Sequence, residues 1–207
     1  MALFTGKGDD GTTGLYGRQA KTFGCDQRIS KSSSIAEALG SMDETGSFLG
    51  LCKTKALSLG YKLDDEVLSN MVHSIQKDLF IIQAELAGAD KTIEEKKVLH
   101  LEKIIKDIEA KLPPIKSFFI SGGHPNLEQK QVAGAELGAL FDIARTIARR
   151  AERRVTRVVE ENQDREGGLV VGVFTRKYLN RLSSILYALA RYSNYLAGIQ
   201  ENSPDYN

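Results

Sequence analysis

Residues 137–159, LGALFDIARTIARRAERRVTRVV, decide the fold because their apolar positions recur at helical spacing. At about 100° of rotation per residue these positions share one stripe. The stripe consists of Leu137, Leu140, Phe141, Ala144, Ala148, Ala151, Val155 and Val159. A helix with one apolar stripe buries it against other elements. The stretch from about Val132 to Asn162 therefore predicts a long, packed helix.

The same stretch carries six arginines and one glutamate between Arg145 and Arg157. Arg145, Arg149 and Glu152 lie together beside the apolar stripe. Guanidinium groups four residues apart at such a border suit an interface carboxylate or a polyphosphate, although a plain charged surface is equally open at this point. A solvated, ion-paired surface is the ordinary interpretation of the rest. These are Arg150, Arg153, Arg154 and Arg157.

Four further segments have helical periodicity, namely 26–57, 64–88, 92–112 and 175–199. Serines stand near the start of the first as caps, acids open the second, and Gly88 is its expected C-terminal end. Thr92 is the predicted N-cap of the third, with Glu95 three residues on, and this helix stops before Pro113. We predict an all-α, antiparallel bundle of five helices without strands.

Composition favours a single domain of 207 residues, with an opening loop (1–24), a bundle (25–200) and a tail (201–207). No stretch is long and apolar enough for a membrane span or a signal peptide, so we expect a cytoplasmic protein. The formal net charge of +1 argues against a nucleic-acid-binding protein. Cys25 and Cys52 lack metal-ligand spacing and the histidines are scattered, so no protein-bound metal site is predicted.

Three other features suit a ligand site. The glycine-rich stretch TGKGDDGTTG, residues 5–14, resembles a phosphate cradle in composition but is not a Walker A loop. In SFFISGGHP, Phe118 and Phe119 precede two glycines and either meet a ligand or close the end of the bundle. Asp43 offers a carboxylate that could meet Arg145, and Gly40 beside it suits a close approach by a ligand or by another helix.

In combination, these stretches resemble the ATP:cob(I)alamin adenosyltransferases of the propanediol-utilisation type. The family's T-K-x-G-D-x-G-x-T-x-L loop is matched by Thr5, Gly8, Asp9, Gly11, Thr13 and Leu15. The R-x-S-K-S and E-x-x-G-x-x-D-E motifs are matched by Arg28, Ser30, Lys31, Ser32, Glu37, Gly40, Asp43 and Glu44. The remaining matches are F-x-x-x-G-G at 118–123, R-x-x-x-R-R-A-E-R at 145–153 and N-R-L-S at 180–183. The chain departs from the family at Gly6, usually a lysine, and at Ser184, often a carboxylate.

The resemblance implies a homotrimer with ATP, Mg²⁺ and a corrinoid bound between subunits. Arg149 would contact the triphosphate, Glu152 and Asn180 would fix the nucleotide, and Asp43 and Arg145 would pair across the interface. Phe118 would keep one face of the corrinoid dry. The residues expected to hold the triphosphate are Thr5, Gly6, Lys7, Gly8, Asp9, Gly11, Thr13, Arg28 and Lys31.

The implied reaction transfers the 5′-deoxyadenosyl group of ATP to the cobalt of cob(I)alamin, with release of triphosphate. The candidate partners are a cob(II)alamin reductase and an adenosylcobalamin-dependent mutase or dehydratase. Two alternatives stay open at this stage. One is a non-catalytic, ATP-gated carrier of adenosylcobalamin, and the other is a structural trimer whose arginines serve only the interface.

Overall fold

The computed structural model describes residues 4–15, 28–115, 117, 119–163 and 168–205. Within these ranges the chain forms five helices: α1 (Ser34–Leu59), α2 (Leu68–Leu86), α3 (Glu95–Glu109), α4 (Gln129–Asn162) and α5 (Val173–Leu196). Helix α4 packs against α1 and α5, while α2 packs on α1 and α3 on α5. The predicted helical bundle is confirmed. None of the described helices combines the length and the hydropathy that crossing a membrane requires.

The expectation of no strands is wrong. Strand β1 (Thr12–Gly14) pairs antiparallel with β2 (Arg28–Ser30), and β3 (Lys62–Leu63) pairs with β4 (Glu66–Val67). Runs of two and three residues are too short to show the period-2 alternation by which a strand is recognised in a sequence. The acids predicted to open the second helix instead form the turn between β3 and β4, where Asp64 adopts a φ of 52°.

The helix ends agree in part with the predicted caps. The Ser33 side chain accepts a hydrogen bond from the Ala36 backbone N–H at the start of α1. Gly88, with a φ of 85°, follows the last residues of α2 as expected. The Thr92 cap is wrong, because α3 begins at Glu95 with Glu94 as its N-cap, and the Thr92 hydroxyl donates to Glu85 instead.

The core lies where the apolar stripe of residues 137–159 meets the other helices. Leu137, Phe141, Ala144, Ala148, Ala151 and Val155 are buried, while Leu140 and Val159 are partly buried against the same core. Tyr178 on α5 is fully buried and donates a hydrogen bond of 3.0 Å to Asp78 on α2. The stripe thus fixes which face of α4 turns outward, and with it the direction of the arginines.

A buried carboxylate ties α2 to the start of α5. Glu85 is only 5% exposed. Its Oε1 accepts the Gly172 backbone N–H at 2.7 Å, and its Oε2 accepts the Thr175 hydroxyl at 2.5 Å. Gly172 is the N-cap residue of α5, where free N–H groups and the helix dipole favour a negative charge. Glu85 therefore caps a helix that begins 87 residues later in the chain.

Candidate functional site

A cleft of about 550 Å³ opens between α4, α5 and the residues that precede the Gly122–Gly123 turn. We call it the arginine cleft. It is lined by Ile115, Ser117, Phe119, Asp142, Arg145, Arg149, Ser183, Ser184 and Tyr187. Arg145 and Arg149 reach it because they lie four residues apart on α4, on the border of the buried stripe. Ile115, Phe119 and Tyr187 add apolar surface to the wall, which they share with three serines and Asp142, so the cleft combines cationic, polar and apolar surface.

The two cleft arginines differ in their partners. Arg145 Nε donates to Asp142 Oδ1 at 3.1 Å, and its guanidinium lies 5.7 Å from the centroid of the Tyr187 ring. Burial raises the pKa of Tyr187, so this ring stays neutral. The Arg149 guanidinium makes no hydrogen bond or ion pair with any residue in the described part of the chain. Its charge is therefore free for an anion in the cleft.

Three of the other arginines of α4 bind carboxylates, while Arg153 donates to the Arg149 carbonyl at 3.3 Å. Arg150 pairs with Glu44 at 2.5 Å and Arg154 with Glu37 at 2.9 Å, and both acids belong to α1. Arg157 pairs with Glu161 one turn along α4. All these side chains are more than a third exposed, so each pair stabilises the fold by only about 0–1 kcal/mol. The predicted surface role is refined, because two of the arginines bridge α1 and α4.

Glu152 and Asn180, predicted together, meet between α4 and α5. The Asn180 side-chain amide donates to Glu152 Oε1 at 3.2 Å. Arg181 donates to Asn180 Oδ1 at 2.6 Å and to Glu102 Oε1 at 2.9 Å. The amide is thus oriented from both sides, and Glu152 keeps further lone pairs for a ligand hydroxyl or amine.

The glycine-rich loop is held by the two cations predicted to act with it. Lys31 Nζ donates to the Gly8 carbonyl at 2.8 Å. Arg28 donates to the Thr12 carbonyl at 2.8 Å and to its hydroxyl at 2.5 Å. A Cβ added at Gly8 would lie 3.1 Å from both Lys31 Nζ and the Thr12 carbonyl, so a side chain there would crowd the loop. The pairing of β1 with β2 brings these residues together.

Sequence reasoning missed Asp10, the residue that shapes this loop. Its Oδ1 accepts both the backbone N–H of Thr12 at 2.9 Å and the Thr12 hydroxyl at 2.7 Å. These hydrogen bonds, the one from the hydroxyl first, lower the pKa of Asp10. An aspartate two residues before a threonine is a known turn signal and could have revealed this role. Asp142 and Tyr187 were also missed, although Asp142 lies one turn before Arg145.

Asp43 lies on a different face from the arginine cleft. It is exposed beside Gly40 and Phe80, in a groove of about 610 Å³ between α1 and α2. Within this chain Arg145 pairs with Asp142 and not with Asp43. Pairing of Asp43 with Arg145 between two chains stays a prediction. Phe118 lies outside the described residues, and so its predicted role also stays a prediction.

The described residues contain no group of three or more His, Cys, Asp or Glu side chains placed to hold a metal ion.

The chain combines a helical bundle, a cationic and partly aromatic cleft and a glycine-rich loop, and comparison with known proteins places it in the cobalamin adenosyltransferase family. It is similar to a solved variant of the PduO-type ATP:corrinoid adenosyltransferase from Lactobacillus reuteri complexed with cobalamin and ATP, with a TM-score of 0.76, 29% identity and coverage of 100% of both chains. A second variant in complex with the same ligands has a TM-score of 0.77 and 27% identity, and covers 99% of this chain and 97% of that one. The cobalamin adenosyltransferase family model matches residues 3–193, and the chain belongs to this family.

Named relatives agree with this membership. The corrinoid adenosyltransferase of Bacillus subtilis is 34% identical over 203 residues, which are 96% of this chain and 90% of that protein. Corrinoid adenosyltransferase PduO of Salmonella typhimurium is 33% identical over 198 residues, or 92% of this chain, and the chain spans about half of that protein's length (49%). The family membership that the sequence motifs indicate is confirmed.

Proposed function

We propose that this protein transfers the 5′-deoxyadenosyl group of ATP to the cobalt of cob(I)alamin, which yields adenosylcobalamin and triphosphate. The unpaired Arg149 guanidinium in a partly aromatic cleft carries the proposal. A free cation beside apolar walls suits a ligand pair in which one partner is a polyphosphate and the other a large, mostly apolar macrocycle. The complexes of the Lactobacillus reuteri enzyme with cobalamin and ATP support the same pair of ligands.

The proposed reaction requires no general acid–base catalysis by the protein. In the proposed step the cobalt electron pair attacks the ribose C5′, and the bond from C5′ to the triphosphate oxygen breaks with its electrons leaving on that oxygen. No proton is taken from the nucleophile, so no general base is required. The protein has to stabilise the growing charge on the leaving group, and Arg149, Lys31, Arg28 and the loop amides can supply preorganised positive charge and N–H donors.

We also propose that the site forms between subunits of a homotrimer. Within one chain the loop cations and Arg149 are far apart. Ser34, three residues after Lys31, donates to Glu161 at 2.5 Å, and Glu161 lies twelve residues beyond Arg149, or about 18 Å along α4. A site that uses both sets of cations is built more directly from two chains, with Asp43 of one chain facing Arg145 of the next. Phe118 keeps its proposed place against the corrinoid.

Other parts of the proposal concern the cellular setting. Mg²⁺ would travel on the triphosphate, where it adds charge neutralisation to that of the arginine and the loop. A cytoplasmic location fits the free, buried Cys52 and a supply of ATP. A reductase that delivers cob(I)alamin and a mutase or dehydratase that consumes adenosylcobalamin are the proposed partners. The whole chain, from the loop at its start to the tail, is proposed to act as one domain.

The test mixes purified protein with ATP, Mg²⁺ and chemically reduced cob(I)alamin and follows the visible spectrum of adenosylcobalamin. We expect formation above a control without enzyme. Arg149→Ala should lower kcat by about 10²–10³-fold, the usual effect of removing one donor that stabilises transition-state charge. Arg157→Ala is the matched control, since this arginine of the same helix is exposed and outside the cleft, and it should retain full activity.

Two results would contradict the proposal. Equal activity of Arg149→Ala and Arg157→Ala would remove the cleft from the mechanism. Tight binding of ATP and of adenosylcobalamin without any formation of a cobalt–carbon bond would favour the carrier function instead.

A further inference from the structure

A buried ion pair outside the arginine cleft joins α5 to the segment that follows it, residues 199–205, which we call the tail in this subsection. Arg191 on α5 is 5% exposed as a residue. Its Nε donates to Glu201 Oε2 at 2.8 Å, and the Glu201 side chain is only 14% exposed. A charged pair this deep is costly to desolvate unless its geometry is good and its other donors are satisfied. The reaction proposed above assigns no role to either residue.

Arg191 also contacts the segment that forms one wall of the arginine cleft. Its Nη2 donates to the Pro113 carbonyl at 3.1 Å, and its guanidinium carbon lies 5.1 Å from the centroid of the Phe119 ring. The Arg191 side chain therefore contacts three parts of the protein. These are the tail through Glu201, the segment after the end of α3 through Pro113, and the cleft wall through Phe119.

The tail is tied to the same wall by contacts that do not involve Arg191. The Ile120 backbone N–H donates to the Asn202 carbonyl at 2.8 Å, and the hydroxyls of Ser117 and Ser203 lie 2.5 Å apart. The Gly123 turn, with a φ of 76°, is so close to the tail that an added Cβ would lie 2.7 Å from Ile199 Cγ2. These three contacts place the tail behind residues 117, 120 and 123, on both sides of Phe119 in the sequence.

Phe119 stands between two cavities. It lines the arginine cleft together with Arg145, Arg149 and Tyr187. It also lines a smaller cavity of about 290 Å³ that includes Arg191 and Glu201. A shift of the tail would therefore change the position of a ring that lines the arginine cleft.

We propose that Arg191 is a positioning residue of the enzyme, and that its clasp on Glu201 holds the C-terminal tail behind Phe119 so that the aromatic wall of the arginine cleft fits the corrinoid. The assignment of the corrinoid to this wall rests on the proposed function. The clasp itself, tail against wall, does not depend on any reaction. The two parts can therefore be tested separately.

The first test reads the position of the wall without any substrate. The chain contains no tryptophan, so Phe119→Trp creates a single fluorescent reporter. Adding Glu201→Gln removes the charge of the clasp at nearly unchanged size. We expect the emission to shift to the red and quenching by acrylamide to rise. Asp107→Asn is the control, because it breaks the exposed pair with Lys103 on α3, which touches neither the tail nor the cleft, and it should change neither signal.

The second test uses the natural Phe119 and measures steady-state kinetics. Glu201→Gln should raise the KM for the corrinoid about tenfold, which corresponds to about 1.4 kcal/mol of binding, and leave the KM for ATP unchanged. A merely structural role would lower the amount of folded enzyme or affect both substrates alike. Combining Glu201→Gln with Phe119→Ala should add little to the effect of Phe119→Ala alone, because the clasp acts through that ring.

Each outcome decides one of the two claims. Unchanged fluorescence in Glu201→Gln overturns the clasp, and equal changes in both KM values overturn its role in fitting the wall to the corrinoid. Changed fluorescence in a protein that forms no adenosylcobalamin keeps the clasp and overturns the proposed reaction. If Glu201→Gln does not fold, Ser203→Ala replaces it, since this change removes a contact between tail and wall without leaving a buried charge unpaired.

Discussion

Replacing Glu85 with alanine should destabilise the protein through a helix that lies far away in the sequence. The substitution removes the acceptor of the Thr175 hydroxyl, which is fully buried, and of the Gly172 N–H, which is partly buried. An unsatisfied buried hydroxyl costs about 1–3 kcal/mol, and the part-solvated N–H loses only the net value of a hydrogen bond, about 0.5–1.5 kcal/mol. The Thr92 hydroxyl also donates to Glu85, but Thr92 is exposed, so water can replace this acceptor at little cost.

The loss therefore amounts to about 2–4 kcal/mol of the free energy of unfolding. For a chain of this size that lowers the Tm by about 4–16 °C. Urea unfolding followed by circular dichroism, at one fixed protein concentration because assembly contributes to stability, measures it. Glu136→Ala is the control, as this exposed acid pairs only at the surface with Lys55.

A difference of less than about 1 kcal/mol between the free energies of unfolding of Glu85→Ala and Glu136→Ala would refute the prediction. The buried helix cap would then contribute no more to stability than a surface ion pair. Glu85→Gln gives an internal check. It keeps one carbonyl acceptor for Gly172 and loses the charge, so it should fall between the wild type and the alanine variant.

Three further predictions concern the loop, the interface and a buried thiol. Gly8→Ala should weaken ATP binding several-fold in calorimetry, because the added Cβ would crowd Lys31. Gly14→Ala is the control and should bind ATP normally, because no atom lies within 4 Å of a Cβ added there. Equal affinities of the two variants would contradict a phosphate cradle at Gly8. Reversing the charge of Arg145 should impair assembly or activity and be partly rescued by reversing Asp43, and a double-mutant cycle without coupling would refute their pairing between chains. Burial raises the pKa of Cys52 to about 12, so the native state keeps a proton that the unfolded chain loses, and stability should fall as the pH rises above about 9. Cys52→Ala should flatten this slope in urea titrations, and an unchanged slope would exclude the thiol as its cause.

The fold could be predicted because its information is local and periodic. The stripe on α4 and the repeats of apolar residues on the other helices predicted five helices with ends within about four residues of those observed, except that α1 begins at Ser34 and not at residue 26, because residues 28–30 form β2. The start of α2 was predicted four residues too early, at residue 64 and not at Leu68. The acidic residues 64–66 suit a turn as well as a helix N-terminus, so their type does not distinguish the two. The strands were missed because pairs of two or three residues leave no pattern to detect.

Spacing alone could predict the site only where one element carries it, and the meetings of Glu152 with Asn180 and of Lys31 with the loop were implied by the family resemblance. The spacing of Arg145 and Arg149 on one helix indicates that they share a border, and the structure has them in one cleft. No spacing within a sequence indicates that Glu85 meets Thr175, or that Glu201 meets Arg191, because tertiary packing brings these residues together. The sequence also could not predict that, among the described residues, Arg145 is paired with a carboxylate and Arg149 is not, because this depends on which carboxylate lies nearest in the folded protein.

The hydrogen bond from Lys31 to the Gly8 carbonyl has a consequence for the affinity and selectivity of anion binding. With this cation, Arg28 and Asp10 already in contact with the backbone, the loop from Gly8 to Thr12 is shaped before any anion arrives. Preorganisation of this kind reduces the conformational entropy lost on association, so more of the contact energy appears as affinity. A phosphate bound at Lys31, as proposed, would exchange places with the Gly8 carbonyl at the lysine ammonium, which would cost a hydrogen bond only if the phosphate failed to replace it. Monophosphates too short to reach both cations would gain little from that exchange, so the proposed loop site would favour a longer phosphate chain.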